Sequence, residues 1–165
     1  MKFALLRTTL ATLAAFFPLV ANAHWIANGR DAVLTMSLPQ AKKPDTSAVM
    51  TVSYEKRWSC RPAVSVLLVS GRKLGTPVRQ DTFSNRDDRL SITIDGSVFT
   101  AETKATLYTN GWEFAIFAPL GLVEALKKAR SVIARPGSGM GVGGFDFSDG
   151  TGFEAANAAA LANCI

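Results

Sequence analysis

Histidine and cysteine are scarce in this 165-residue sequence, which holds one of the first, His24, and two of the second, Cys60 and Cys164. That scarcity removes most site chemistry. A Ser-His-Asp or Cys-His nucleophile has only His24 to serve as its base, and no G-x-S-x-G elbow is present. A zinc site needs clustered ligands at short spacing, which two lone cysteines do not supply. Dense runs of Lys and Arg are missing too. The basic residues fall in pairs such as Lys42-Lys43, Lys56-Arg57, Arg72-Lys73 and Lys127-Lys128, not in the concentrated stripe that nucleic-acid binding wants. The apolar run Thr8 to Val20 is 13 residues long and is interrupted by Pro18, short of the roughly 20 needed to span a bilayer.

What is present at the start reads as an export signal. Lys2 and Arg7 make a positive beginning, Thr8 to Val20 an apolar middle, and Ala21-Asn22-Ala23 a small-residue cleavage site. Cleavage is expected after Ala23, and His24 stands where a lipoprotein would carry cysteine. Residues 24–165 then form a single β-rich domain, within the usual span of about 100 to 150 residues. The signal takes two of the 18 basic residues and none of the 13 acidic ones, so the net charge falls from +5 to +3. Outside the cytoplasm, whether in the periplasm or secreted, a Cys60–Cys164 disulfide is the default reading, against a metal pair or two reactive thiols. Such a bond closes a loop of about a hundred residues and is worth about 4 to 5 kcal/mol in the chain-entropy treatment.

From Trp25 onward, short alternating apolar stretches separated by turn residues give the pattern of an antiparallel β protein. Strands are expected at Ala32 to Ser37, Val49 to Tyr54, Val64 to Val69, Leu90 to Ile94, Ser97 to Ala101, Ala105 to Thr109, Trp112 to Phe117, Ser131 to Arg135 and Gly144 to Phe147. Asp95-Gly96 and Asn110-Gly111 are preferred dipeptides for two-residue turns with positive φ. Pairing outward sets Ile94 by Ser97, Ile92 by Phe99 and Leu90 by Ala101. From the second turn it sets Thr109 by Trp112, Leu107 by Phe114 and Ala105 by Ile116. A continuous meander from Leu90 to Phe117 follows. One helix is expected from Pro119, suited to a first helical position, to about Arg130, with Lys127, Lys128 and Arg130 at its negative end. A second begins with a Thr151–Glu154 capping box and puts Phe153, Asn157, Ala160, Leu161 and Cys164 on one face. Ser70 to Arg89 reads as a long exposed loop or an irregular hairpin, and Pro136 to Gly144 as a glycine-rich loop. The expected fold is an antiparallel β-sandwich-like domain with two short helices, the C-terminal one packed on the sheet.

Several residue groups invite a function. Export places His24 at the new terminus, where amine and imidazole can chelate copper, but a histidine brace needs a second histidine. Gly139 to Gly144 matches G-x-G-x-x-G formally, yet it leads into a strand-like segment where a dinucleotide fingerprint opens a helix. Asp87-Asp88 lies between Arg86 and Arg89, the composition of a solvated turn, and a calcium site would need further oxygen ligands. Trp112 and Phe114 fall on the face expected to be core. Trp58 beside Lys56, Arg57 and Arg61 is the best surface candidate, because Trp and Arg are enriched at binding hot spots. The partner-binding surface is accordingly assigned to Arg57, Trp58, Arg61, Arg72 and Lys73, with no catalytic, cofactor or metal residue.

The layout of Trp25, Cys60 ahead of Val64 to Val69, the Leu90 to Gly96 strand and turn, and Phe114 to Leu126 as strand then helix resembles a group of small exported proteobacterial proteins. So does the ending, Phe145-Asp146-Phe147 followed by Gly152 to Ala156 and Cys164. The group is the invasion-associated locus B type together with type VI secretion accessory proteins of similar pattern. The resemblance implies a periplasmic β-sandwich without a known catalytic site and carries over no functional residues. The chain departs from the group in its glycine-rich loop and in the low polarity of its last helix. The expected function is therefore a non-enzymatic accessory that binds another envelope or secreted protein in secretion, conjugation or host interaction, without cofactor, nucleic acid or membrane span. The alternatives are an inhibitor or immunity protein against a secreted envelope enzyme, and a copper-binding protein using His24.

Overall fold

Alternation of apolar and polar residues builds two antiparallel sheets, seen in a computed structural model that describes residues 23–38, 46–71, 73–84, 88–137, 143–148 and 150–165. The strands are β1 (Ile26–Asn28), β2 (Asp31–Ser37), β3 (Thr46–Tyr54), β4 (Pro62–Ser70), β5 (Pro77–Phe83), β6 (Leu90–Ile94), β7 (Ser97–Ala101), β8 (Thr103–Tyr108), β9 (Gly111–Phe117), β10 (Val132–Arg135) and β11 (Phe145–Asp146). The helices are α1 (Leu122–Lys127) and α2 (Phe153–Ala162), and a 3-10 turn covers Lys56–Trp58. The larger sheet runs β1-β2-β3-β4-β9-β8-β5 and the smaller β11-β10-β6-β7. One face of the large sheet is covered by the small sheet and by α2, which gives the β-sandwich-like fold. Ala32, Leu34, Ala48, Met50, Val52, Val64, Val66 and Phe114 point into that interior and are fully buried. Each of the larger ones contributes about 1.5 to 3 kcal/mol.

Helix α2 lies on β1, β2 and β3 and is tied along its length. The ring of Trp25 meets that of Phe153 edge-on, with centroids 4.8 Å apart. The Tyr54 hydroxyl donates to Asn157 Oδ1 at 2.6 Å in the interior, and Asn163 Nδ2 donates to the Gly29 carbonyl at 2.8 Å. Cys164 closes the disulfide with Cys60, their Cα atoms 5.9 Å apart across 104 residues. The helix face expected from spacing is thus the one that packs: Phe153, Asn157, Ala160 and Cys164 are buried and Leu161 is half-buried. Its start differs. Gly152, at φ +82°, is the cap, and no side chain caps the helix, so the Thr151–Glu154 box does not form. Thr151 is instead drawn into backbone bonds with Ala23 and Trp25.

The Asp95-Gly96 hairpin has the expected register, Ile94 with Ser97 through Leu90 with Ala101, and both turn residues have positive φ. The second hairpin is shifted by two residues. Tyr108 pairs with Gly111, Leu107 with Trp112 and Ala105 with Phe114, so Thr109-Asn110 makes the turn. The local preference for Asn-Gly yields here to tertiary contacts. The Asn110 side chain accepts from the Gly75 N–H and donates to the Ser70 and Lys73 carbonyls. Gly111 sits inside the strand, where a Cβ would collide with the Leu68 carbonyl oxygen. A shift of two preserves the inward face, so Ala105, Phe114 and Ile116 remain buried.

Nor is Leu90 to Phe117 one meander. The chain leaves the small sheet at Ala101 and enters the large one at Thr103. Thr103 holds that corner, since its buried hydroxyl accepts from the Leu90 N–H at 2.6 Å and donates to the Ala101 carbonyl at 3.3 Å. The stretch expected to be loop or irregular hairpin contains β5, paired with β8 from Pro77 to Phe83 through a register shift. Its mostly exposed residues show no alternation, which hides the strand from sequence. Helix α1 starts later than Pro119, because Gly121 at φ +83° caps it. Only Lys127 falls in its last turn, where it pairs with Glu124 at 2.7 Å.

Candidate functional site

Between the 3-10 turn and β4 the chain makes a corner that exposes an aromatic ring and two guanidinium groups. Ser59 and Cys60 both take φ of 54° there, a left-handed conformation that costs a non-glycine residue roughly 1 to 2 kcal/mol. The disulfide to α2 and the Cys60 N–H donated to the Glu55 carbonyl at 3.1 Å hold it in place. The corner directs Trp58 toward Phe117 of β9, and the rings meet edge-on with centroids 5.3 Å apart. Arg57 lies over the Trp58 ring at 4.7 Å and Arg61 over the Phe117 ring at 4.8 Å. The four side chains form one ladder of cation, indole, phenyl and cation, an arrangement stabilised by the electron-rich ring faces.

This ladder borders a cleft of about 540 Å³ whose lining includes Trp58, Arg61, Thr100, Glu102, Lys104 and Phe117. Register explains its floor. Ala63 pairs with Phe117 and Ala115 with Lys104 across β4, β9 and β8, so these residues share the large sheet's outer face, and small side chains there leave the hollow. Phe117 is 42% exposed. Arg57, Arg61, Glu102 and Lys104 form no ion pair with any described residue. The cleft therefore presents apolar area beside three cations and one carboxylate, all with free hydrogen-bonding capacity.

Of the surface residues expected from sequence, the structure brings Arg57, Trp58 and Arg61 together. Lys73 lies beyond the opposite end of the nine-residue β4, on the order of 25 to 30 Å away at strand rise, where its carbonyl accepts from Asn110. Arg72 lies outside the described residues, as do residues 1–22, Asp87 and the greater part of the glycine run, 138–142. Sequence reasoning missed Phe117, Glu102 and Lys104. Phe117 carried a signal, since counting from Phe114 and Ile116 puts an aromatic ring on the outward side of its strand. Trp112 is partly buried and stacks parallel to the buried Phe114, with centroids 6.4 Å apart.

His24 stands apart from the cleft. Its Nδ1 is 3.1 Å from Thr151 Oγ1, its ring covers Gly152, and His24 and Thr151 form a parallel bridge. Among the described residues, no group of three or more His, Cys, Asp and Glu side chains is placed to hold a metal ion. No helix among them is long and apolar enough to cross a membrane. Elsewhere on the outer face, the Tyr108 hydroxyl donates to Glu113 at 2.9 Å. Burial first, then that bond and the carboxylate's charge, push this phenol up to about 12. The intramolecular disulfide is compatible with a place outside the cytoplasm. No protein-family model matches the chain, and neither a curated protein nor a solved structure shows significant similarity to it.

Proposed function

We propose that this is a non-enzymatic exported protein, processed after Ala23, that binds another envelope or secreted protein through the Trp58–Phe117 cleft. Its role is that of an accessory to secretion, conjugation or host interaction. The observation that carries the reading is the ladder of Arg57, Trp58, Phe117 and Arg61. It keeps aromatic area half-exposed beside guanidinium groups that have no ion-pair partner among the described residues, and Trp and Arg are among the residues most enriched where interface energy concentrates. Affinity capture from the compartment outside the cytoplasm should recover a defined partner. That partner should be lost with Trp58→Ala or Arg61→Ala and kept with a substitution at Lys73. Retention by the Trp58→Ala protein, or turnover of a cell-wall or sugar substrate with no partner recovered, overturns the reading.

The clamped corner favours a second reading, an inhibitor or immunity protein. Cys60 lies between Trp58 and Arg61, so the disulfide fixes the loop that would enter a target cleft, and a pre-ordered loop avoids much of the entropy cost of binding. Two arginines there suit an acidic or neutral enzyme cleft. Assay against a panel of envelope hydrolases separates the readings, since only an inhibitor lowers turnover at stoichiometric ratio.

A further inference from the structure

We infer that the partner enters as an extended acidic segment, which adds a strand to the open edge of β7 and places a carboxylate side chain in the cleft. The inference rests on the proposal that the cleft is a protein-binding site, and it names what binds there.

The two sheets have four edge strands among the described residues: β1, β5, β11 and β7. Proteins blunt such edges with short strands, proline, charge or bulges. Three edges here are blunted. β1 is three residues long and exposed throughout, and β11 has only two residues, the buried Phe145 and the charged Asp146. β5 opens on Pro77, shifts register before Arg79 and carries Arg79 and Asp81. β7 has none of these devices. Its five residues, Ser97-Val98-Phe99-Thr100-Ala101, include no proline and no charge, and its register with β6 is unbroken. Val98 is 63% exposed. A two-residue turn makes Ser97, Phe99 and Ala101 the residues that exchange hydrogen bonds with β6, so the N–H and C=O groups of Val98 and Thr100 face the open side.

That edge leads into the cleft, because Thr100 and Ala101 line it along with Glu102. A strand added to β7 therefore runs to the cleft's mouth, and its main chain supplies affinity while alternate side chains reach the pocket. The charge there selects the side chain. Arg61 and Lys104 line the cleft and Arg57 stands beside it, against Glu102 alone. A guanidinium stacked on a ring keeps its N–H edge free to grip a carboxylate. A second copy of this chain would bring the same cationic cluster against itself, which disfavours self-pairing.

Selection of a random peptide library of about ten residues against the intact protein tests the inference. Selected peptides should carry Asp or Glu. Methylating alternate main-chain nitrogens of a selected peptide should weaken it about tenfold or more, as should Thr100→Pro, a substitution open edges tolerate. The methylated peptide keeps the test decisive with unaltered protein if Thr100→Pro fails to fold. Methylated peptides that bind equally well overturn strand addition, while loss of their binding in Trp58→Ala would leave the cleft reading intact. Weakening on methylation with no effect of Trp58→Ala or Arg61→Ala overturns the cleft reading and the carboxylate's placement with it. Recovery of no binder also overturns the inference. So does a dimer in sedimentation that Val98→Lys disrupts.

Discussion

The α2 side of the molecule and the cleft side are built on opposite terms. Under α2, every described buried polar side chain has a partner, and the helix is tied at Phe153, Asn157, Asn163 and Cys164. At the cleft, aromatic rings are half-exposed, cations lack carboxylates among the described residues, and a strand edge is left open. The two regions share one residue. Cys60 ties the helix on one side and sets the angle of Trp58 and Arg61 on the other. Stability concentrated in the first region lets the second keep surface that does nothing for folding, which is how binding sites commonly sit on rigid scaffolds.

Cutting the shared tie tests this contrast most severely. Cys60→Ser with Cys164→Ser should lower unfolding free energy by about 4 to 5 kcal/mol in chemical denaturation, and should also weaken partner capture. Capture unchanged in a protein that still folds would mean that the cleft does not depend on the staple. Within the closed side, Tyr54→Phe leaves Asn157 Oδ1 without its donor and should cost about 1 to 3 kcal/mol. Burial also raises the Tyr54 phenol above its ordinary 10.0. The folded state therefore holds its proton more tightly, and this stabilisation is complete below pH 10 and lost as pH rises through the higher folded value. Denaturation curves across pH 9 to 12 should fall less steeply for Tyr54→Phe than for the parent.

Smaller effects belong to the corner and the open side. Ser59→Gly removes a left-handed Cβ but adds unfolded-chain entropy, for a net gain of about 0.5 kcal/mol; a loss would show that the corner's strain lies elsewhere. Leu120, fully exposed at 101%, should accept serine with a change within about 0.5 kcal/mol of zero. A larger loss, read by thermal melting, would mean that the open side contributes to folding after all.

Much of the closed side was legible in the sequence. The burial of Ala32, Leu34, Met50 and Val52 follows from alternation, the packed face of α2 from helical spacing, and the disulfide from two cysteines in a chain whose start reads as an export signal. Asp95-Gly96 set its register because the turn's demand for positive φ at both positions is local. The cleft was legible only through Trp58 and its flanking arginines. Glu102 and Lys104 join it because Thr103 turns the chain from one sheet to the other, and no spacing rule reports such a corner. β5 escaped because its residues are mostly exposed and its pairing with β8 spans the whole β6–β7 hairpin.

The sequence by itself determined most of the antiparallel strands, their inward faces, the helix that covers them and the pair of cysteines that ties its end to the corner before β4. These follow from side-chain periodicity and turn chemistry, which act over a few residues. The tertiary structure decided which strands share a sheet, moved the Asn110 turn by one residue and so its register by two, and carried Phe117, Glu102 and Lys104 to Trp58. Each of those outcomes depends on how groups far apart in the chain fill space and satisfy hydrogen bonds together, as Gly111 against Leu68 and Thr103 between Leu90 and Ala101 show.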